Sequence, residues 1–214
     1  MQVESRDSVS LKPAELDVLG QLLTTVGLPG MDTQLEGHIE TFPLIVVASE
    51  DDDIHGFMFG SLERVGGTPC ILWGLGATRK GRQAGLAVKG MVSELYRRAA
   101  ISFPDEDVLV AGRIAQPAAY SLLAILTDVV PRPNYSPTGE ERAWGRRLAR
   151  RFGCDARYDD RARARSPGLG AWRRVFRPRD TGAGRESSAG VARRALIAEN
   201  TPACERVRLP APRV

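Results

Sequence analysis

Apolar and polar positions along the chain follow two periods, which predict helices near the start and then a run of strands. Residues 3–9 alternate loosely as a short strand does. Between Leu16 and Val26 the apolar residues fall at helical spacing, and Gly27 and Pro29 end that helix. A second, shorter helix is predicted over about 31–40. From Leu44 onward the chain becomes rich in β-forming residues, so residues 44–48 and 54–62 predict a hairpin and residues 70–78 a third antiparallel strand.

The pattern returns to helical spacing after residue 86. Residues 87–100 predict an amphipathic helix, residues 107–112 a strand and residues 117–126 a further helix. An Arg-rich helix is predicted over 140–152, followed by one or two strands within 153–166. This element order predicts an α+β fold with a mixed, mainly antiparallel central sheet flanked by helices.

Composition changes after residue 166, where Gly, Pro, Ser, Ala and Arg dominate and few residues can build a core. We therefore predict one domain over 1–166 and a flexible, basic tail over 167–214. Charge divides unevenly as well: residues 1–138 carry 11 Lys and Arg against 17 acids, whereas residues 139–214 carry 19 Arg against 9 acids. The basic segment leaves association with nucleic acid open, although a solvated tail is the favoured interpretation.

Several classes of protein and site are disfavoured by composition. No apolar run is long enough to cross a membrane and the first residues lack signal-peptide character, so we expect a cytoplasmic protein without membrane contact. Three separated cysteines show neither disulfide nor zinc-ligand spacing, and no metal site is expected. His38 and His55 have no partners at catalytic-triad spacing and are interpreted as structural or surface residues.

The loop between the third strand and its following helix has the chemistry of a diphosphate site. Its sequence is Arg79-Lys80-Gly81-Arg82-Gln83-Ala84-Gly85-Leu86-Ala87. A helix amino terminus offers unpaired N–H groups, small residues let a phosphate approach the backbone, and the cations add charge. The spacing fits neither a Walker loop nor the dinucleotide fingerprint.

The segment Arg82-x-x-Gly85-x-Ala87 resembles the Gln/Arg-x-x-Gly-x-Gly/Ala signature of the GCN5-related N-acetyltransferase (GNAT) superfamily, and the element order around it is similar over about residues 1–130. The resemblance implies that this loop binds the diphosphate of acetyl-coenzyme A (acetyl-CoA). It also implies that the strand before the loop splays from its neighbour and lines the pantetheine arm. The implied cofactor residues are Leu75, Gly76, Ala77, Thr78, Arg79, Lys80, Arg82, Gln83, Ala84, Gly85, Leu86, Ala87 and Gln116.

The resemblance implies a carboxylate base and a tyrosine acid for amine acetylation. Glu63 is the carboxylate best placed by chain position, with a surface ion pair as the alternative. The expected Tyr position is occupied by Leu123, and Tyr120, one helical turn earlier, is the substitute donor. Arg113 and Gln116 follow the strand as further contacts to substrate or cofactor.

Two functions therefore stay open. The first is an acetyl-CoA-dependent N-acyltransferase that acts on an amine of a small molecule or protein by direct attack in a ternary complex. The second is a catalytically weak or inactive acyl-CoA-binding module. The acceptor, the acyl chain length and the choice between monomer and homodimer are not determined by sequence.

Overall fold

We analysed a computed structural model of the chain, which describes residues 1–51, 53–114, 129–130, 135–157 and 194–199. The amino-terminal part forms β1 (Gln2–Asp7), α1 (Pro13–Thr25) and α2 (Leu35–Thr41). Pro13 occupies the first turn of α1, where its missing N–H costs nothing, and the Glu15 carboxylate accepts the backbone N–H of Lys12 at 2.9 Å. The predicted strand and both predicted helices are confirmed.

A central sheet organises the domain. It contains β2 (Leu44–Glu50), β3 (Asp53–Val65), β4 (Thr68–Thr78), β5 (Leu109–Ile114), β6 (Val129–Val130) and β7 (Arg194–Glu199) in addition to β1. Within the described residues the strand order is β1-β2-β3-β4-β5-β7-β6. Strands β1 to β4 are antiparallel neighbours, whereas β5, β6 and β7 join by parallel pairing. The predicted α+β class with a mixed sheet is confirmed.

Helices cover both faces of the sheet and create two cores. Helix α3 (Ala84–Ser102) packs its apolar stripe, including Met91 and Leu95, onto one face. Helices α1 and α2, with α4 (Gly139–Arg151), cover the other face, where Phe57 and Phe59 are fully buried. The two faces differ because side chains alternate along each strand.

Helix α4 confirms the predicted Arg-rich helix and begins at a capping box. The Thr138 hydroxyl accepts the Glu141 N–H at 3.2 Å, and the Glu141 carboxylate accepts the Thr138 N–H at 2.7 Å. The Tyr135 hydroxyl donates to the same carboxylate at 2.9 Å. These bonds satisfy the polar groups of Glu141, which is only 6% exposed.

The segment predicted to be a flexible tail contains one strand of the sheet. Residues Arg194–Glu199 form β7, which lies between β5 and β6. The sequence signal was an unbroken apolar run from Ala195 to Ala198, which the overall composition of 167–214 concealed. The division of the chain at residue 166 stays a prediction, and the helix predicted over 117–126 lies outside the described residues.

No helix among the described residues has the length and apolar character needed to span a bilayer. No three His, Cys, Asp or Glu side chains converge there in a way that could hold a metal ion.

Candidate functional site

Strand β4 carries a bulge in its middle. Gly76 pairs with Met58 and Trp73 pairs with Gly60, so Gly74 and Leu75 together face the single residue Phe59 of β3. An inserted residue of this kind bends a strand and leaves a backbone group unpaired. The bulge therefore interrupts the β3–β4 ladder at Gly74 and Leu75.

Strand β4 also parts from β5 at the bulge. Parallel pairing runs only from Cys70 with Leu109 to Trp73 with Gly112, after which β5 continues alongside β7. From Gly74 to Thr78, no described strand pairs with β4 on its β5 side. This open edge of β4 can accept hydrogen bonds from, and donate them to, an extended ligand.

Close contacts explain both glycines of this segment. A Cβ on Gly74 would lie 2.8 Å from the Phe42 ring, and a Cβ on Gly76 would lie 2.9 Å from the Phe57 carbonyl oxygen. Both distances are too short for a methyl group. The glycines thus let Phe42 and β3 pack tightly against the bulge. This packing limits the space beside the open edge of β4.

The loop that follows β4 leads directly into the amino terminus of α3. Residues 79–82 are exposed, and Gly81 has φ +146°, a conformation that side chains disfavour. The Ala84 N–H donates to the Gly81 oxygen and the Ala87 N–H to the Gln83 oxygen. The N–H groups of Gly85 and Leu86 have no acceptor among the described residues, so two amides of the first turn are available to an anion.

The three predicted cations of the loop have different surroundings. Arg79 lies 3.6 Å from the Asp53 carboxylate, while its backbone N–H donates to the His55 oxygen at 2.8 Å. Lys80 and Arg82 form no ion pair with any residue that the structure describes. These two side chains therefore retain their charge for a ligand.

Gln83 fixes the end of the loop to the sheet. Its side-chain amide donates to Glu50 at 2.8 Å, and this bond is the main cause of the lowered pKa of that carboxyl group. Glu50 ends β2, so the hydrogen bond holds the start of α3 against the β2–β3 hairpin. Gln83 thus positions the loop instead of pointing freely toward a ligand.

The structure brings most of the predicted cofactor residues together. Leu75, Gly76, Ala77 and Thr78 form the open edge of β4, and the residues from Arg79 to Ala87 form the loop and first helical turn that continue from it. Gln116 and Tyr120 lie outside the described residues.

Glu63 is engaged elsewhere. Its carboxylate accepts Arg151 Nε at 2.6 Å and Arg151 Nη2 at 3.0 Å, and this hydrogen bonding raises the pKa of Arg151. Glu63 pairs with Cys70, four residues along β3 from Phe59, which corresponds to about 13 Å of strand. The structure therefore does not bring Glu63 to the bulge. Glu63 forms an ion pair, as the alternative interpretation expected, but with Arg151 and not with Arg64, which pairs with Glu106.

His38, which the sequence analysis interpreted as a structural or surface residue, lies half-buried near the bulge. The His38 ring stacks on Phe42 at a centroid distance of 5.7 Å and contacts Phe59 at 5.9 Å. Both phenylalanines touch the bulge, Phe42 through Gly74 and Phe59 through strand pairing. The four-residue spacing of His38 and Phe42 on α2 could have indicated the stacking, but not the strand that it faces.

Comparisons with known proteins found matches among solved structures alone. No family model matches the chain, and none of the curated proteins does. An aminoglycoside 6'-N-acetyltransferase from Enterococcus faecium is 19% identical, with 47% of this chain and 55% of that chain covered and a TM-score of 0.39. A ribosomal-protein-alanine N-acetyltransferase from Brucella melitensis is 15% identical, with 64% and 99% covered and a TM-score of 0.45.

A third solved structure, the aminoglycoside N-acetyltransferase AAC(6')-Iy in complex with CoA, is 14% identical, with 64% and 98% covered and a TM-score of 0.41. All three are N-acetyltransferases. The match spans little more than half of the Enterococcus faecium protein, and what these proteins acetylate is a property of those proteins.

Proposed function

We propose that the protein is a GNAT-type acyltransferase that moves an acetyl group from acetyl-CoA to an amine. One juxtaposition carries this proposal: the β4 edge from Gly74 to Thr78, which no described strand pairs with, runs directly into a helix amino terminus where two amides lack an acceptor among the described residues. An extended thioester that ends in a diphosphate matches both halves at once. A free phosphate or a peptide would match only one of them.

In this arrangement the diphosphate binds the Gly85 and Leu86 amides, with Lys80 and Arg82 supplying positive charge. The pantetheine arm lies along the edge from Gly74 to Thr78, where backbone groups can pair with its amides. The thioester carbonyl then reaches the bulge. An N–H of Gly74 or Leu75 there would stabilise the oxyanion that forms when the amine attacks.

The net charge around the site suits a cationic acceptor. Residues 1–138, which include β4, the loop that follows it and α3, carry 17 acids against 11 basic residues. An acidic domain attracts an ammonium group over distances of about a Debye length. Primary amines are therefore the acceptor class that we propose.

Binding of acetyl-CoA is the direct test. Isothermal titration should show saturable binding to the wild-type protein, weaker by at least about 100-fold in the Lys80→Ala, Arg82→Ala double variant, because two charge-assisted hydrogen bonds of about 1.5–3 kcal/mol each are lost. Lys89→Ala removes an exposed charge from α3 beyond its first turn and should leave the affinity unchanged. A folded wild-type protein that does not bind acetyl-CoA would refute the proposal.

The ion pair of Glu63 with Arg151 supports a second candidate, an acyl-CoA-binding module without turnover. With Glu63 engaged, the carboxylate favoured by sequence is not available as a base. Release of CoA thiol in the presence of spermidine, kanamycin or a peptide with a free amino-terminal alanine separates the two. Amine-dependent thiol release favours the enzyme, whereas binding without release favours the module.

A further inference from the structure

The ring of His38 is held in one orientation beside the bulge. Its Nδ1 lies 2.8 Å from the backbone oxygen of Gln34. A carbonyl oxygen can only accept, so Nδ1 carries the proton of the neutral ring and donates it. Stacking on Phe42 and contact with Phe59 fix the plane of the ring.

This tautomer leaves the second ring nitrogen as a lone-pair acceptor. Nε2 of His38 has no hydrogen-bond partner among the described residues. Both phenylalanines that contact the ring also lie against the bulge, so the imidazole is only one side chain away from Gly74 and Leu75. Within the described part of the chain, no other imidazole lies against the bulge.

The surroundings keep the ring neutral at ordinary pH. Burial lowers the pKa of His38 from its usual 6.5, and the Arg113 cation on β5 lowers it further, while the bond to Gln34 acts in the opposite direction. Phe42, which directly follows α2, and Phe59 on β3 contribute no charge. Arg113 follows Gly112, the last residue of β5 that pairs with β4, and so belongs to the part of β5 that has separated from β4.

This inference rests on the proposed function. We propose that Nε2 of His38 is the base that takes the proton from the acceptor amine at the bulge. The ammonium loses one proton to Nε2, and the neutral amine attacks the thioester carbonyl carbon. A C–N bond forms and the C–S bond breaks. The second N–H proton leaves with the departing sulfur as CoA thiol, and the half-buried imidazolium returns its proton to water.

Three features favour His38 over Glu63 for this step. His38 contacts Phe59, which faces the bulge, whereas Glu63 lies about 13 Å from Phe59 along the same strand. The Glu63 carboxylate is already hydrogen-bonded by Arg151 through two nitrogens. An imidazole with a free lone pair also needs no prior deprotonation at neutral pH.

The test uses two variants that remove the base while keeping the site filled. His38→Gln retains a side-chain donor for Gln34, and His38→Phe retains the stacked ring. Both should bind acetyl-CoA with the wild-type dissociation constant and lose about 10²- to 10⁴-fold in kcat toward the amines named above. Thermal unfolding verifies that each variant is folded.

A pH profile separates a base from a packing residue. A protonated imidazole cannot accept a proton, so the ratio of the wild-type rate to the His38→Gln rate should fall toward one as the pH drops below 6.5. A ratio that stays constant across pH would show that His38 supports the fold only, and it would overturn the assignment.

The remaining outcomes also decide. If either variant turned over at the wild-type rate with an unchanged pH profile, the role assigned to His38 would be overturned and the proposed function would stay intact. If the wild-type protein bound acetyl-CoA but acetylated none of the three amines, the role assigned to His38 would be overturned as well, because a base has no role without transfer. Failure of the wild-type protein to bind acetyl-CoA would refute the proposed function itself, which makes the two failures distinguishable.

Discussion

Replacing Gly85 by alanine should separate ligand binding from stability. Gly85 is the second residue of α3, its backbone is helical, and an added Cβ would meet no atom within 4 Å. Alanine stabilises a helix relative to glycine by about 0.5–1 kcal/mol. For a chain of this length we expect the unfolding temperature without ligand to rise by about 1–4 °C.

The same methyl group would occupy the space through which a phosphate approaches the Gly85 and Leu86 amides. Loss of one charge-assisted hydrogen bond costs about 1.5–3 kcal/mol, which corresponds to a dissociation constant for acetyl-CoA that is about 10- to 100-fold higher. Calorimetric titration measures this effect, and differential scanning fluorimetry without ligand measures the stability.

Gly139→Ala is the matched control. Gly139 is the first residue of α4, and a Cβ there would lie 3.9 Å from Arg142 Nη2, in ordinary contact. This exchange should leave acetyl-CoA affinity unchanged. If Gly85→Ala stabilised the protein and bound acetyl-CoA as tightly as the wild type does, the helix terminus would not be the phosphate site.

Three other substitutions test the framework around the site. Glu94 accepts Arg97 Nε at 2.7 Å and also bonds Ser5, which lowers the pKa of its carboxyl group from 4.5 to about 2. The ionised Glu94 carboxylate therefore stabilises the fold above pH 4.5, and this stabilisation is lost as the pH falls toward 2. Glu94→Gln should lower the free energy of unfolding by about 2 kcal/mol at pH 7 but not at pH 2. Urea titrations at the two pH values measure the difference. Glu63→Gln should lower the free energy of unfolding by only about 1 kcal/mol, because both side chains of its ion pair are about 30% exposed to solvent. It should leave turnover intact, and loss of turnover in a folded variant would reinstate Glu63 as the base. Gly74→Ala should lower the free energy of unfolding by about 1–3 kcal/mol, since its Cβ would lie 2.8 Å from the Phe42 ring, and a thermal melt at the wild-type temperature would contradict that contact.

Local signals in the sequence were sufficient for the elements and for the loop. Helical and alternating periods predicted α1, the β2–β3 hairpin and α3, because each period reflects contacts with one nearby face. The prediction that residues 79–87 bind an anion also rests on local chemistry, since the glycines, cations and helix start are adjacent in the chain, and it stays a prediction.

Non-local relations could not be predicted in this way. The ion pair of Glu63 with Arg151 joins residues 88 positions apart, and β7 enters the sheet from a segment of tail-like composition. The bulge at Gly74 and Leu75 depends on the register of β3, which alternation within β4 does not reveal. The position of His38 beside the bulge depends on the packing of Phe42 against Gly74, which the spacing of residues in the sequence does not reveal.

The short junction between β4 and β5 has a mechanical consequence. Four residue pairs, from Cys70 with Leu109 to Trp73 with Gly112, join the antiparallel part of the sheet to its parallel part within the described chain. A ligand that hydrogen-bonds along Gly74–Thr78 would add pairing beside this junction and make it more rigid. Amide hydrogens of β5 and β4 should then exchange more slowly with deuterium in the complex, so that a cofactor used for chemistry would also brace the scaffold that holds it.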